Sequence, residues 1–138
     1  MKKVLQLLPL LLLLNFIACK KAIENKKKDL LLDAITNGTW YVSQFKEDST
    51  DITIDFYGYN FNFKDDGTVL SSYGALGAAG TWSGDVNNYT ITSDFPGADD
   101  PLKKLNGVWK ITTSYSDYVE AERPTTSGKY YLHLQKRP

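Results

Sequence analysis

The sequence predicts an all-β domain, folded as an eight-stranded antiparallel up-and-down barrel with a short N-terminal helix and a short helical loop at one rim. The length of 138 residues suits one domain. From Thr39 onward, apolar and polar residues alternate with a period of two, as in strands with one buried face. The connections alternate in length, which predicts a barrel with its long loops at one rim and its tight turns at the other. Long connections are 46–50, 74–79, 96–107 and 123–128; tight ones are 64–67, 85–88 and 115–117.

The composition excludes several classes of protein. Aromatic residues make up 13% of the chain, too many for a disordered protein. The 16 basic residues balance the 16 acidic ones, so the overall charge gives no electrostatic reason to expect a nucleic-acid partner. One Cys excludes an internal disulfide, and one His leaves little for a metal site.

The N-terminus has the pattern of a lipoprotein signal peptide. Lys2 and Lys3 precede an apolar run that ends at Ala18. This run is shorter than the ~20 apolar residues of a membrane span and is typical of a secretory signal. It ends in Phe16-Ile17-Ala18-Cys19, which resembles a bacterial lipobox and implies lipidation of Cys19. The alternative is an ordinary signal peptide with a chance cysteine.

Three segments follow from this pattern: a signal peptide (1–18), a lipidated Cys19 with a basic tether (19–29), and the barrel (30–138). The expected partner is a lipid bilayer, because a diacylated or triacylated cysteine supplies the chains that stable anchoring needs. Residues 20–29 carry a net charge of +3 and residues 30–138 a net charge of −5. The tether either touches anionic head groups or is a solvated spacer. The expected location is the bacterial cell envelope, at the outer membrane, on its periplasmic or its outer face.

The first elements of the domain are a helix and two strands. Leu30–Ile35 forms an amphipathic patch of one or two helical turns, ended by Asn37-Gly38. The first strand is Thr39–Phe45. The second is Asp51–Phe63, predicted as one long bulged strand because Tyr57, Tyr59, Phe61 and Phe63 alternate with polar residues or glycine.

Six further strands and a short helix complete the domain. The loop 96–107 contains Asp100 as a cap, Pro101 at a first helical position, and Leu102 and Leu105 on one face, which predicts a short helix at 100–106 over the open rim. The strands are Thr68–Tyr73, Thr81–Gly84, Tyr89–Phe95, Val108–Ser114, Tyr118–Glu122 and Lys129–Lys136.

An ordered set of short motifs resembles the lipocalin-like domain of Bacteroidetes lipoproteins over roughly residues 36–136. The set includes Gly38-Thr39-Trp40, the run Gly58 to Phe63, Gly80-Thr81-Trp82 and Trp109-Lys110-Ile111. The resemblance implies an eight-stranded barrel that binds a small apolar molecule. It also implies that a basic residue near the last strand, Lys136 or Arg137, lies across Trp40.

The candidate binding residues follow from the predicted rims. Trp82 and Trp109 begin strands that descend from the long-loop rim, and Tyr59 and Phe61 face inward. Tyr73 and Leu76 lie in a small apolar loop at the same rim. These candidates either contact a ligand or simply pack in the core and in a plain hairpin. Gly38 and Trp40 are expected to close the other end of the barrel.

The sequence offers no set of reactive side chains from which a catalytic or metal site could be assembled, so no enzyme, cofactor or metal is predicted. Cys19 is taken by lipid, and His133 alternates with two leucines and is expected to face solvent. The first functional hypothesis is a membrane-anchored protein that binds a small hydrophobic ligand in the barrel mouth. The alternative is a non-catalytic envelope protein with a filled barrel and an unknown protein partner. An apolar cavity of ~300 Å³ or more would favour the first hypothesis.

Overall fold

The computed structural model describes residues 7–138 of the chain. Lys2 and Lys3, the predicted basic start of the signal peptide, lie outside the described residues. Helix α1 spans Leu7–Thr36, and the predicted helical patch Leu30–Ile35 forms its last part. Within residues 7–138, no helix combines the length and the apolarity that crossing a membrane requires.

Eight antiparallel strands close a barrel, which confirms the predicted fold class. Their order in the sheet follows their order in the chain, and the last strand pairs with the first. The strands are β1 (Trp40–Glu47), β3 (Tyr59–Phe63), β4 (Thr68–Tyr73), β5 (Leu76–Asp85), β6 (Thr90–Asp94), β7 (Gly107–Ser114), β8 (Tyr118–Pro124) and β9 (Lys129–Lys136). The two-residue β2 (Thr50–Asp51) pairs with the end of β1, outside the cycle of eight.

The connections gather at two rims, as the alternation of their lengths predicts. The end of α1 and the turns 64–67, 86–89 and 115–117 lie at one end, termed the tight-turn rim. The segments 48–58, 95–106 and 125–128 lie at the other, termed the long-loop rim.

The predicted long loop at 74–79 is wrong, because only Gly74 and Ala75 separate β4 from β5. The residues that follow pair with β4, for example Gly77 with Ser72. Their small side chains carry no alternation from which a strand could be predicted. Glycine has a packing reason at position 80, because a Cβ atom on Gly80 would collide with the backbone oxygen of Asp94.

The predicted long strand Asp51–Phe63 is also wrong, because it divides into β2, the 3₁₀ helix η1 (Thr53–Phe56) and β3. The Asp51 carboxylate accepts hydrogen bonds from the backbone N and Oγ1 of Thr53, at 2.9 and 2.6 Å, which turns the chain. Phe56 is then buried, with its ring 4.9 Å from that of Phe45. The alternation that predicted a strand is real only within β3.

The tight-turn rim is closed around Trp40. This side chain is fully buried, and its Nε1 donates to the Ile35 carbonyl at the end of α1 at 2.9 Å. Of the two basic candidates, Lys136 takes the place across the ring: its Nζ lies 5.0 Å from the ring centroid and donates to the Ala34 carbonyl. Gly38 has φ +95°, and a Cβ there would lie 3.2 Å from the Lys136 side chain. The helix, the first strand and the last strand therefore meet at one point.

Candidate functional site

The barrel interior is filled by its own side chains. The cavity at its centre measures about 40 Å³ and is lined almost entirely by apolar groups, including Phe61 and Trp109. A water needs about 10–15 Å³ of such space, and ligand pockets start at about 300 Å³. The interior therefore has room for a few waters at most and none for an apolar ligand.

The long-loop rim is closed by a second 3₁₀ helix, η2 (Leu102–Leu105), where the sequence predicts a short helix. Leu102 and Leu105 are buried and face the interior cluster. The Leu105 carbonyl accepts hydrogen bonds from Trp109 Nε1 at 2.8 Å and from the Ser93 hydroxyl. The end of η2 is thus bonded to two strands beneath it.

Residues on either side of Leu105 add further bonds across the mouth. Asn106 Oδ1 accepts from the Phe95 backbone N at 2.7 Å, and Arg123 Nη2 donates to the Lys104 carbonyl at 2.9 Å. Lys104 also forms an ion pair with Glu47 of β1, and the hydrogen bond to that carboxylate raises the pKa of Lys104. Opening the mouth would require these contacts to break.

An aromatic cluster lies directly under this rim. The Phe45 ring packs against Phe56, Trp109 and Tyr130, with centroid distances of 4.9, 5.9 and 5.6 Å. The Arg123 guanidinium lies 5.1 Å from the Trp109 ring and 4.8 Å from that of Tyr130. Trp109 is only 2% exposed. It is beside η2, as predicted, but it belongs to the packed core rather than to an open mouth.

Trp82 does not lie at the long-loop rim, and that prediction is corrected. Because β5 begins at Leu76, Trp82 lies well down the strand, near the tight-turn rim. Its backbone N donates to the Gly67 carbonyl at 2.9 Å and its Nε1 to that of Lys64 at 2.8 Å. Its ring packs edge-on against Phe63. These contacts make Trp82 part of the core.

Three of the predicted candidates do meet at the long-loop rim. The rings of Tyr59 and Tyr73 stack at 5.0 Å, and Leu76 beside them is 73% exposed. Together with Leu102 they line a surface depression of about 110 Å³. Phe61, the other inward-facing candidate, is buried in the core with its ring 6.3 Å from Tyr59, in line with the core-packing alternative. The depression is below the size of a typical ligand site.

A larger concavity lies on the outer wall, between β1 and β3. These strands pair at a single position, Trp40 with Phe61, while β2 pairs with the far end of β1 at Lys46 and Glu47. The wall between these pairings opens into a groove of about 630 Å³, termed the seam groove. This volume lies within the usual ~300–1,000 Å³ range of ligand sites. Its lining includes Tyr41, Val42, Phe56, Tyr57, Tyr59 and Arg137.

Polar side chains hold β1 and β3 together below the groove. Asn62 Nδ2 donates to the Gly38 carbonyl and to Thr39 Oγ1, which ties β3 to the start of β1. Arg137 stacks on the Tyr41 ring with its guanidinium carbon 4.2 Å from the centroid, and its Nε donates to Asn60 Oδ1 at 2.9 Å. The guanidinium of Arg137 is therefore held in place at one end of the groove.

Sequence reasoning missed the seam groove because it treated residues 51–63 as one strand. Two local signals stand inside that run. Asp51 followed by Thr53 is a pair that favours an Asx-type turn, and Gly58 adopts φ +86°, which L-residues avoid. Both interrupt a strand at the places where the structure interrupts it.

The remaining reactive side chains do not assemble into a site. Cys19 is exposed on α1 with a free thiol. His133 lies on the outer wall but is half-buried rather than solvated, with its ring 5.3 Å from that of Tyr118. Its buried Nε2 has no hydrogen-bond partner among the described residues. Over the same part of the chain, no group of three or more His, Cys, Asp and Glu residues is placed to hold a metal ion.

A solved Bacteroides protein shares this fold. The crystal structure of a DUF4847 family protein from Bacteroides vulgatus ATCC 8482 matches this chain with a TM-score of 0.56 and 17% sequence identity, covering 78% of this chain and 99% of that one. No protein-family model matches the sequence, and no curated protein matches it significantly. At this identity the likeness shows the fold alone, so the lipocalin-like and lipoprotein character of the chain stays a prediction.

Proposed function

We propose that this chain is a non-catalytic, lipid-anchored protein of the bacterial cell envelope whose barrel is a solid scaffold that binds at its outer surface. The observation that carries this proposal is the central cavity of about 40 Å³. Of the two functional hypotheses from the sequence, a filled barrel favours the interaction role over a ligand held in the mouth.

The closure of both ends supports the same conclusion. Trp40 and the end of α1 close one end. At the other, hydrogen bonds join Ser93 and Trp109 to Leu105, Phe95 to Asn106, and Arg123 to Lys104. At roughly 0.5–1.5 kcal/mol for each of these four bonds, lifting η2 costs about 2–6 kcal/mol before any apolar surface is exposed. A ligand in the mouth would have to recover that cost.

The proposed anchor rests on the lipobox-like sequence that ends at Cys19 and on the exposure of that residue. Cys19, Lys20 and Lys21 are all exposed on α1, and so is Lys26 further along the helix. Acyl chains on Cys19 would hold the barrel at a membrane, and the basic residues beside it would favour anionic head groups.

The anchor is tested by Cys19→Ser in the native host. We expect the variant to remain unprocessed or to leave the membrane fraction, because it lacks the thiol that would carry the lipid. Membrane fractionation with detergent-phase partitioning measures this, with Ser116→Ala, in the turn between β7 and β8, as the control. Normal maturation and detergent partitioning of Cys19→Ser would contradict the anchor.

The solid scaffold is tested by native mass spectrometry of the purified protein. We expect the polypeptide, with its lipid if processed, and no additional apolar molecule in stoichiometric amount. A copurified apolar ligand that slows hydrogen exchange at the backbone amides of Leu132 and Leu134 would instead establish the hypothesis of a ligand in the barrel mouth.

A further inference from the structure

The seam groove has the composition of a site for a molecule with one charged end. We propose that it binds a small amphipathic carboxylate, with the apolar body along Val42, Phe56 and Tyr57 and the carboxylate on Arg137. The inference rests on the proposed outer-surface role of the barrel and adds to it a site and a ligand class. It does not depend on the membrane anchor.

The apolar surface of the groove is formed by η1 and by β1 beneath it. Phe56 and Val42 are buried and form the floor of the groove. Ile54 and Tyr57 rise beside them and are 76% and 79% exposed. Large apolar side chains that stay exposed around a concavity are typical of binding sites, because a ligand can cover them without any rearrangement of the core.

Arg137 supplies the charged end of the groove. Stacking on Tyr41 and the bond from Nε to Asn60 fix the plane of its guanidinium. In the described part of the chain, its two terminal nitrogens have neither a hydrogen-bond acceptor nor a carboxylate partner. A guanidinium held in this way loses little freedom on binding and presents a fork that matches a carboxylate in two parallel hydrogen bonds.

The surrounding charges favour a specific monoanion over general attraction of anions. Residues 30–138 carry a net charge of −5, so the barrel as a whole repels anions. Two carboxylates lie close in sequence to the groove: Asp51 is bonded to Thr53 and Gln44, and Asp55 is an exposed residue of η1 that does not line the groove. Arg137 is the basic residue in the groove lining. One cation suits one carboxylate better than a doubly charged phosphate.

Three of the hydroxyl groups in the groove lining already bond within the protein. Ser43 Oγ donates to the His133 carbonyl, and the Tyr41 hydroxyl donates to Gln135 Oε1. Thr53 Oγ1 donates to Asp51 and accepts from the Phe45 backbone N. These three hydroxyls are engaged within the protein, whereas the Tyr57 and Tyr59 hydroxyls also lie in the lining, where Arg137 is the basic residue.

The test uses octanoate and octan-1-ol, which share an apolar chain and differ in the charged end. The full chain with Cys19→Ser is titrated with each by NMR. We expect octanoate to shift the backbone amide resonances of Tyr41–Ser43 and of η1. Octanol should bind at the same place with an affinity at least about tenfold lower. Charge-assisted hydrogen bonds of this kind are worth about tenfold to hundredfold in affinity.

Two variants separate the charge from the apolar wall. Arg137→Gln should lower octanoate affinity to the level of octanol, while Tyr57→Ala should weaken both probes. Lys129→Gln is the matched control, since Lys129 is an exposed cation paired with Glu122 outside the groove. It should leave both affinities unchanged, and unaltered melting temperatures should show that all three variants are folded.

The outcomes distinguish the site from the scaffold. Equal octanoate affinity in Arg137→Gln and in the parent chain overturns the proposed site, and so does an absence of binding at millimolar octanoate. Either result leaves the filled barrel intact. Shifts confined to interior residues such as Ile91 and Leu132 would overturn both the groove and the solid scaffold.

Discussion

Two tryptophans at opposite ends of the barrel offer a direct test of its solidity. Trp40 is 0% exposed at the tight-turn rim, and Trp109 is 2% exposed under η2. Each donates its Nε1 to a buried carbonyl, at 2.9 and 2.8 Å, and each lies next to a cationic side chain. Trp→Ala at a buried site typically costs about 3–5 kcal/mol. Because the two environments match, we expect both Trp40→Ala and Trp109→Ala to lose about that much.

Urea unfolding at equilibrium, followed by tyrosine fluorescence and circular dichroism, measures the loss. Total stabilities of such domains are about 5–15 kcal/mol, so either alanine variant risks unfolding. Trp40→Phe and Trp109→Phe keep most of the apolar area and remove the hydrogen bond, and each should cost about 1–3 kcal/mol. Tyr115→Ala, at a 60% exposed ring, is the surface control and should change stability by less than about 1 kcal/mol. A loss at Trp109 as small as at Tyr115, beside a large loss at Trp40, would refute the filled barrel and restore an open mouth.

Two further predictions concern the segment that forms the wall of the seam groove. Gly58 has φ +86° and a Cβ there would lie 2.9 Å from the Tyr73 ring, whereas Gly74 has φ +56° with open space around it. Gly74→Ala should therefore cost only the backbone strain of about 1–2 kcal/mol, and Gly58→Ala more, in urea unfolding; equal losses would show that the ring moves freely. Hydrogen bonds from the side chain and backbone of Thr53 lower the pKa of Asp51. Since the pKa of folded Asp51 lies below the unfolded value of about 3.9, the bonds stabilise the fold above that pH and the stabilisation is lost as pH falls through the lowered pKa. Thr53→Val should raise the pKa of Asp51 in a carboxylate NMR titration, and an unchanged midpoint would contradict this account.

Most strands could be predicted because their signals are local. Lys129–Lys136 has the predicted bounds, and a short helix does form at Leu102–Leu105 in the loop 96–107. Its predicted cap is wrong, because Pro101 rather than Asp100 is the N-cap and no side chain bonds there. The run Gly74–Gly80 could not be predicted as strand, since small residues show no apolar face. The position of Trp82 could therefore not be predicted either, because the depth of Trp82 in the barrel depends on where β5 begins.

The sequence by itself determined the number of strands in the barrel, the rim at which each connection lies and the closure at Trp40. These features depend on alternation, turn residues and an aromatic residue after a helix, and each of those signals lies within a few neighbouring positions. Tertiary structure alone decided that the barrel is solid and that its wall opens between β1 and β3. Interior volume depends on how Phe45, Phe56 and Trp109 meet from distant parts of the chain. The groove depends on where one strand stops pairing with another, and no single strand carries that information.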